Sequence, residues 1–341
     1  MIPLDKNESY WMLGDELVAA THANSACELS MYPYYQKLKE ALAAYSGVTQ
    51  EHLLITPGSD AAIQHIARAY ASGSGEVLLP APTFYGYESI LDRVGAKVVP
   101  TTYEERDNQF VFPLAKTLET LKRGSAKALF LCHPNNPLGC PLSEEDIKKL
   151  VEAARASDTV IVSDEAYFEF SASTSFLPYL AELPNLIIVR TLSKAFALSG
   201  ARVGYAIASP IIVKQLEKLM LPWPIAHLSV TAALALLGRT DEVTACRKKV
   251  ITERAIFVGA LNAIHGIITY PSETNFVLVR VPDAERTRDE LLSGGVRVAI
   301  GESMSHFPEA KMLLRNTLRI AIPSSEDSQK VIDILRSSFT G

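Results

Sequence analysis

Three polar clusters follow closely on runs of β-type apolar residues: PNNPLG at 134–139 after ALFLC, SDEAY at 163–167 after TVIV, and TLSK at 191–194 after LIIV. Taken singly they read as a Pro/Asn turn, a helix N-cap and a polar loop. Taken together they bring an amide (Asn136), a carboxylate (Asp164), a phenol (Tyr167) and an amine (Lys194) to the ends of three strands. An amine so placed can add to a carbonyl, form an imine and afterwards act as a base. The apolar stretch AFAL after Lys194 favours its neutral form by desolvation. The hydroxyls of Thr191 and Ser193 stand close to Lys194, and Arg202 follows it eight positions later. Gly58, Ser59 and Asp60 stand ahead of the helical pattern AAIQHIARA, whose first amides can cradle an anion. A pyridine aldehyde cofactor needs this set: a lysine for its imine, a carboxylate against its ring nitrogen, and donors at its ring oxygen and phosphate.

Such residues need a scaffold that delivers them to one edge. Short β-type runs alternate with helical patterns, which predicts an α/β fold around a mostly parallel sheet. The expected strands are 53–56, 76–80, 97–101, 127–132, 159–163, 186–190 and 202–208, with helices over 61–71, 143–156 and 211–221 among others. Ser143, followed by Glu145 and Asp146, reads as a helix start. Functional groups in such a sheet gather beyond the carboxyl ends of its strands. After about residue 225 a long helical region, strand candidates at 275–281 and 317–322, and a closing helix from 326 predict a smaller α+β domain. The expected division is an N-terminal arm over 1–30, packing on the large domain or a neighbouring subunit, a large domain over 31–225 and a small one over 226–341.

Composition narrows the partners. With 48% hydrophobic residues the chain has material for more than one core. A net charge of −5 without basic runs argues against nucleic acid or an anionic membrane, leaving small molecules. Cys27, Cys132, Cys140 and Cys246 show no metal-ligand or CxxC spacing, so reduced thiols and no metal are expected. The start MIPLDKNESYW lacks a basic-then-apolar leader and no apolar stretch is membrane-length, so the expected location is cytoplasmic.

The residues also carry a resemblance. YP at 32–33, TPGSDAAI at 56–63, APTFYGY at 81–87, PNNPLG, DEAYFEF at 164–170, TLSKAFALSGARVGY at 191–205, SETNF at 272–276 and LRIAI at 318–322 resemble fold-type I pyridoxal-5′-phosphate enzymes. The most similar group is the histidinol-phosphate aminotransferases, over almost the whole chain. The resemblance implies a three-layer sandwich, amino transfer between an amino acid or amino-alcohol phosphate and a 2-oxo acid such as 2-oxoglutarate, and a homodimer with shared sites. It implies that Lys194 carries the cofactor and shuttles a proton, and that Asp164 faces the pyridine nitrogen. Tyr167 and Asn136 bond the ring oxygen, and Phe84 stacks on the ring, with Tyr85 and Tyr87 as alternatives. Gly58, Ser59, Asp60, Thr191, Ser193 and Arg202 surround the phosphate, Asp60 by ordering the loop, and Tyr32 reaches in from the second subunit. Arg319 grips the acidic end of the substrate, and Asn7 lines the same pocket.

Four departures bear on substrate. Leu138 stands where that group usually has threonine, and Trp223 where it has tyrosine or phenylalanine. NESYWM replaces an NENPY-like arm, with Trp11 near the substrate entrance. In GVRVAIG, Ala299 occupies the place of a further phosphate-gripping arginine. Arg297, two residues earlier and so on the same face of a strand, either compensates or is a solvated surface residue. A transaminase of another amino acid, and a decarboxylase similar to the threonine-phosphate type, remain alternatives. A non-catalytic binding protein fits poorly with the intact set of Lys194, Asp164, Tyr167 and Arg202.

Overall fold

The computed structural model describes residues 1–9, 19, 21, 24–73 and 75–339. Trp11 lies outside them.

Seven strands form the central sheet: β1 (Leu53–Thr56), β2 (Glu76–Ala81), β3 (Lys97–Thr102), β4 (Ala126–Cys132), β5 (Val160–Asp164), β6 (Leu186–Thr191) and β7 (Gly204–Ala208), in the order β1-β7-β6-β5-β4-β2-β3. All seven predicted strands are present, most with ends moved by a residue or so. The β2–β3, β2–β4, β4–β5 and β5–β6 pairs are parallel. β7 alone runs antiparallel, to both β6 and β1, which local pattern could not reveal. Strands β5, β6 and β7 are buried along their whole length because helices cover both faces of the sheet. Successive side chains feed two cores: Leu129 and Leu131 join one, Ala128, Phe130 and Cys132 the other. This alternation produces the expected helix–sheet–helix layering.

Helix α1 (Ser59–Tyr70) follows β1, α2 (Tyr85–Arg93) follows β2 and α3 (Glu144–Arg155) follows β4. Ser143 caps α3 as its position suggests, its hydroxyl accepting from the Asp146 amide at 3.0 Å. The helix expected over 211–221 ends at Glu217.

A second sheet joins β8 (Ile268–Thr269), β9 (Phe276–Arg280), β10 (Ala299–Ile300) and β11 (Thr317–Ala321) in the order β8-β9-β11-β10, all antiparallel. The expectation that Arg297 and Ala299 share one strand does not hold. The chain breaks at Val298: Val296–Arg297 pairs in parallel with Ile2–Pro3, whereas Ala299–Ile300 pairs with β11. The start of the arm therefore docks on the C-terminal region, not on the central sheet. Among the described residues no helix is long and apolar enough to cross a membrane.

Candidate active site

Adjacent parallel strands end at one edge of a sheet, so β4, β5 and β6 deliver Cys132, Asp164 and Thr191 to the same place. A cleft of about 860 Å³ opens there. Of the residues singled out from sequence it is lined by Ser59, Asp60, Phe84, Tyr85, Cys132, Asn136, Asp164, Tyr167, Thr191, Ser193, Lys194, Arg202, Arg297, Ala299 and Arg319.

Lys194 extends its amine toward the arm, donating to the carbonyls of Lys6 at 3.2 Å and Asn7 at 3.3 Å. Burial, with the Arg319 guanidinium as a second cause, lowers its pKa to about 8. Its Nζ lies 5.6 Å from the centre of the Tyr167 ring.

Asp164 is buried at the end of β5. Its Oδ2 accepts from the Tyr87 hydroxyl at 2.6 Å and its Oδ1 from the Ala166 amide at 3.1 Å. Burial raises its pKa to about 6, and these two donors oppose that rise. Tyr87, one of three aromatics weighed for ring stacking, is fully buried on α2 and serves Asp164 instead. Phe84 and Tyr85 are the two that reach the cleft. No local pattern couples residues 77 positions apart, so the Tyr87 partnership was missed. In Tyr87→Phe, loss of this donor is expected to move the Asp164 midpoint above about 6. Carboxyl carbon NMR of the cofactor-free protein would read it, and an unmoved midpoint would remove Tyr87 from this role.

The Tyr167 hydroxyl accepts from Asn7 Nδ2 at 3.0 Å and from Asn136 Nδ2 at 3.5 Å. Asn136 in turn accepts from Arg319 Nη1 at 2.6 Å. Asn7, buried and held at φ 55°, thus sits against both the phenol and, through its carbonyl, the amine. Leu138 points away into the core, so its exchange for threonine leaves the cleft wall unchanged.

Arg202, Thr191 and Ser193 cluster at the foot of α1. Arg202 donates to Ser193 Oγ at 3.4 Å and to the Ser199 carbonyl at 3.0 Å, and Thr191 donates to Ser193 at 2.9 Å. Asp60 pairs with the Arg202 guanidinium at 3.4 Å. Two glycines make this approach possible. At Gly58 (φ +84°) a Cβ would stand 2.6 Å from Arg202 Nη2, and at Gly204 a Cβ would stand 2.4 Å from the Ser59 amide. The cradle so formed presents helix amides, hydroxyls and a guanidinium, which is the donor set a phosphate takes.

Arg319, on β11, is buried, and donates to Asn136 and to the Asp5 carbonyl at 2.5 Å. Arg297 is half-exposed and paired with Asp5 at 3.0 Å. Asp5 and Lys6 also line the cleft, and the sequence reading named only their neighbour Asn7. Tyr32 is not among these groups. It is 75% exposed and stacked on Trp223, ring centres 4.3 Å apart, away from its own chain's cleft.

The chain matches the family "Aminotransferase class I and II" over residues 2–335. The histidinol-phosphate aminotransferase of Caldanaerobacter subterraneus subsp. tengcongensis is 35% identical over 340 residues, spanning 98% of this chain and 92% of that protein. Two solved structures share the fold. Histidinol-phosphate aminotransferase from Clostridium acetobutylicum superposes with a TM-score of 0.88 at 22% identity, covering 99% of each chain. The Sinorhizobium meliloti enzyme, in complex with pyridoxal-5′-phosphate, gives 0.85 at 24% identity, over 99% of this chain and 91% of that one. With a family match over nearly its full length and a cleft of this chemistry at the expected strand ends, the chain belongs to the class I and II aminotransferases.

Proposed function

We propose that this aminotransferase works with pyridoxal-5′-phosphate, and that its cleft residues take the roles the resemblance implies. The observation that carries the reading is the convergence of an amine of lowered pKa, a buried carboxylate and a glycine-lined anion cradle in one cleft. The residues present fit the group: a side chain at Gly204 would press on the Ser59 amide and one at Gly58 on the Arg202 guanidinium, the donors an anion would take.

When bound, the cofactor supplies an aldehyde that captures an amine and a ring that takes up electron density as the substrate Cα–H bond breaks. Asp164 would hold a proton at the ring nitrogen, and Tyr167 with Asn136 would donate to the ring oxygen. Phe84 would flank the ring. The amides after Gly58, at Ser59 and Asp60, with Thr191, Ser193 and Arg202, would hold the phosphate. Lys194 would take the Cα proton and return it to C4′ of the cofactor, across the intervening nitrogen; with its pKa near 8 a useful fraction is neutral at physiological pH. Arg319 would orient the substrate carboxylate beside Asn7, in the cleft that Arg297 also lines.

The amino donor and a 2-oxo acid acceptor such as 2-oxoglutarate would use the site in turn. We also propose a large domain over 31–225, a small one over 226–341, and a cytoplasmic homodimer in which Tyr32 serves the partner's cleft. Supporting the dimer is an exposed apolar set around Tyr32: Leu29, Met31, Tyr34, Leu221 and Trp223.

The deciding experiment loads purified protein with pyridoxal-5′-phosphate and follows donor nitrogen-15 into a panel of 2-oxo acids while collecting carbon dioxide. The expected result is label in the new amino acid. Carbon dioxide as the main product would make the chain a decarboxylase, and failure to retain cofactor at saturation would end the reading.

A further inference from the structure

Apart from Arg202 of the anion cradle, the arginines lining the cleft are Arg288, paired with Asp289, Arg297, paired with Asp5, and Arg319. Among the described residues Arg319 has no such partner, and its buried Nε has no hydrogen-bond partner. Lys6 also lines the cleft but is exposed, so Arg319 is the one buried guanidinium there, among the described residues, without an ion pair, and its planar fork suits one carboxylate.

Beyond its two acceptors, Asn136 and the Asp5 carbonyl, the wall next to that guanidinium is apolar. Ala299 is the cross-strand partner of Arg319, so its methyl shares that face of the sheet. Val298, Ile300, Met304 and Leu292 continue the wall. Beyond it, Asp5 holds Arg297 through Oδ2 while its Oδ1 is buried without a partner. A second anionic group carried toward Arg297 would meet that carboxylate and would have to displace it.

Resting on the aminotransferase reading above, we infer that the pocket selects amino acids with one carboxylate and an uncharged, apolar side chain over phosphate-bearing amines and acidic amino acids. The acceptor meets the same wall. The 2-oxo acid collected most readily therefore also has an apolar side chain. Ala299 and Asp5 are the specificity determinants, one by leaving a methyl where a cation would attract a second anion, the other by neutralising Arg297.

Binding of inert acids tests this apart from catalysis. Calorimetric titration of the cofactor-loaded protein compares 3-phenylpropanoate, glutarate and 3-phosphonopropanoate, none of which has an amino group to transfer. 3-Phenylpropanoate is expected to bind about tenfold or more tightly than either dianion. Ala299→Arg is expected to raise 3-phosphonopropanoate affinity about tenfold or more, and Asp5→Asn, which frees Arg297, to raise glutarate affinity in the same direction. Tighter binding of either dianion by the unmodified protein overturns the inference, as does an unchanged ranking in both folded variants. If the ranking holds but no donor loses its nitrogen, the selectivity stands and the aminotransferase reading fails. If amino transfer proceeds best from a phosphate-bearing amine, the reading stands and the selectivity fails.

Discussion

Lys194→Ala is expected to reduce amino transfer by more than about 10³-fold, since it removes both the group that would capture the cofactor and the base that would move the Cα proton. The same substitution should leave the cofactor-free protein at least as stable as the parent. Burial makes the folded chain bind the Lys194 proton less tightly than the unfolded chain does, so between about pH 8 and pH 10.5 the unfolded state holds more protons. Stability attributable to this group therefore rises with pH across that window. At pH 7 the full penalty is present, about 2 kcal/mol after allowance for its partial exposure. Denaturant titration of parent and variant without cofactor at pH 7 and pH 10 measures it: the variant should gain at pH 7 and the difference should shrink at pH 10. A variant that is inactive and much less stable at pH 7 would show that activity was lost through the fold.

Asp164→Asn should cost transfer about 10²- to 10⁴-fold, because a neutral amide cannot hold a proton at the ring nitrogen. Its pH signature differs from that of Lys194. The Asp164 pKa is raised to about 6, so the folded chain holds this proton more tightly than the unfolded chain, whose value lies near 3.8. The resulting stability is fully present below about pH 4 and is lost as pH rises through about 6. Cofactor binding should do the opposite, strengthening as Asp164 ionises. Cofactor dissociation constants measured from pH 5 to pH 8 should fall for the parent and fall less for Asp164→Asn, in which the ionisations of Lys194 and of the cofactor phosphate remain. A parallel fall in both proteins would assign the pH dependence to another group.

The two effects differ in sign because burial disfavours charge in both groups: it pushes the amine down and the carboxyl up.

Much of this was legible in the linear sequence. β1 and β4 to β7 are short apolar runs because both faces of the sheet are covered, so their positions show without partners. The clusters around Asn136, Asp164 and Lys194 follow from those runs, since parallel neighbours end at one edge. The lowered pKa of Lys194 was also anticipated, although Arg319, 125 residues away in sequence, contributes as a charge.

Other features depend on contacts between distant residues, and local pattern carries no record of them. The reversed direction of β7 is settled by its pairing with β1 and β6 together. Tyr87 looked interchangeable with Phe84 and Tyr85 until α2 turned it inward to Asp164. Arg297 and Ala299 have the spacing of one strand face, yet the pairing of Ile2–Pro3 with Val296–Arg297 pulls the first toward Asp5 and leaves the second beside Arg319. The sequence alone determined the strands, the edge and the reactive groups, because burial and chemistry are written residue by residue. The tertiary structure decided which charges are already paired, and with them the shape of the substrate pocket, because a charge in a cleft is defined by its neighbours in space.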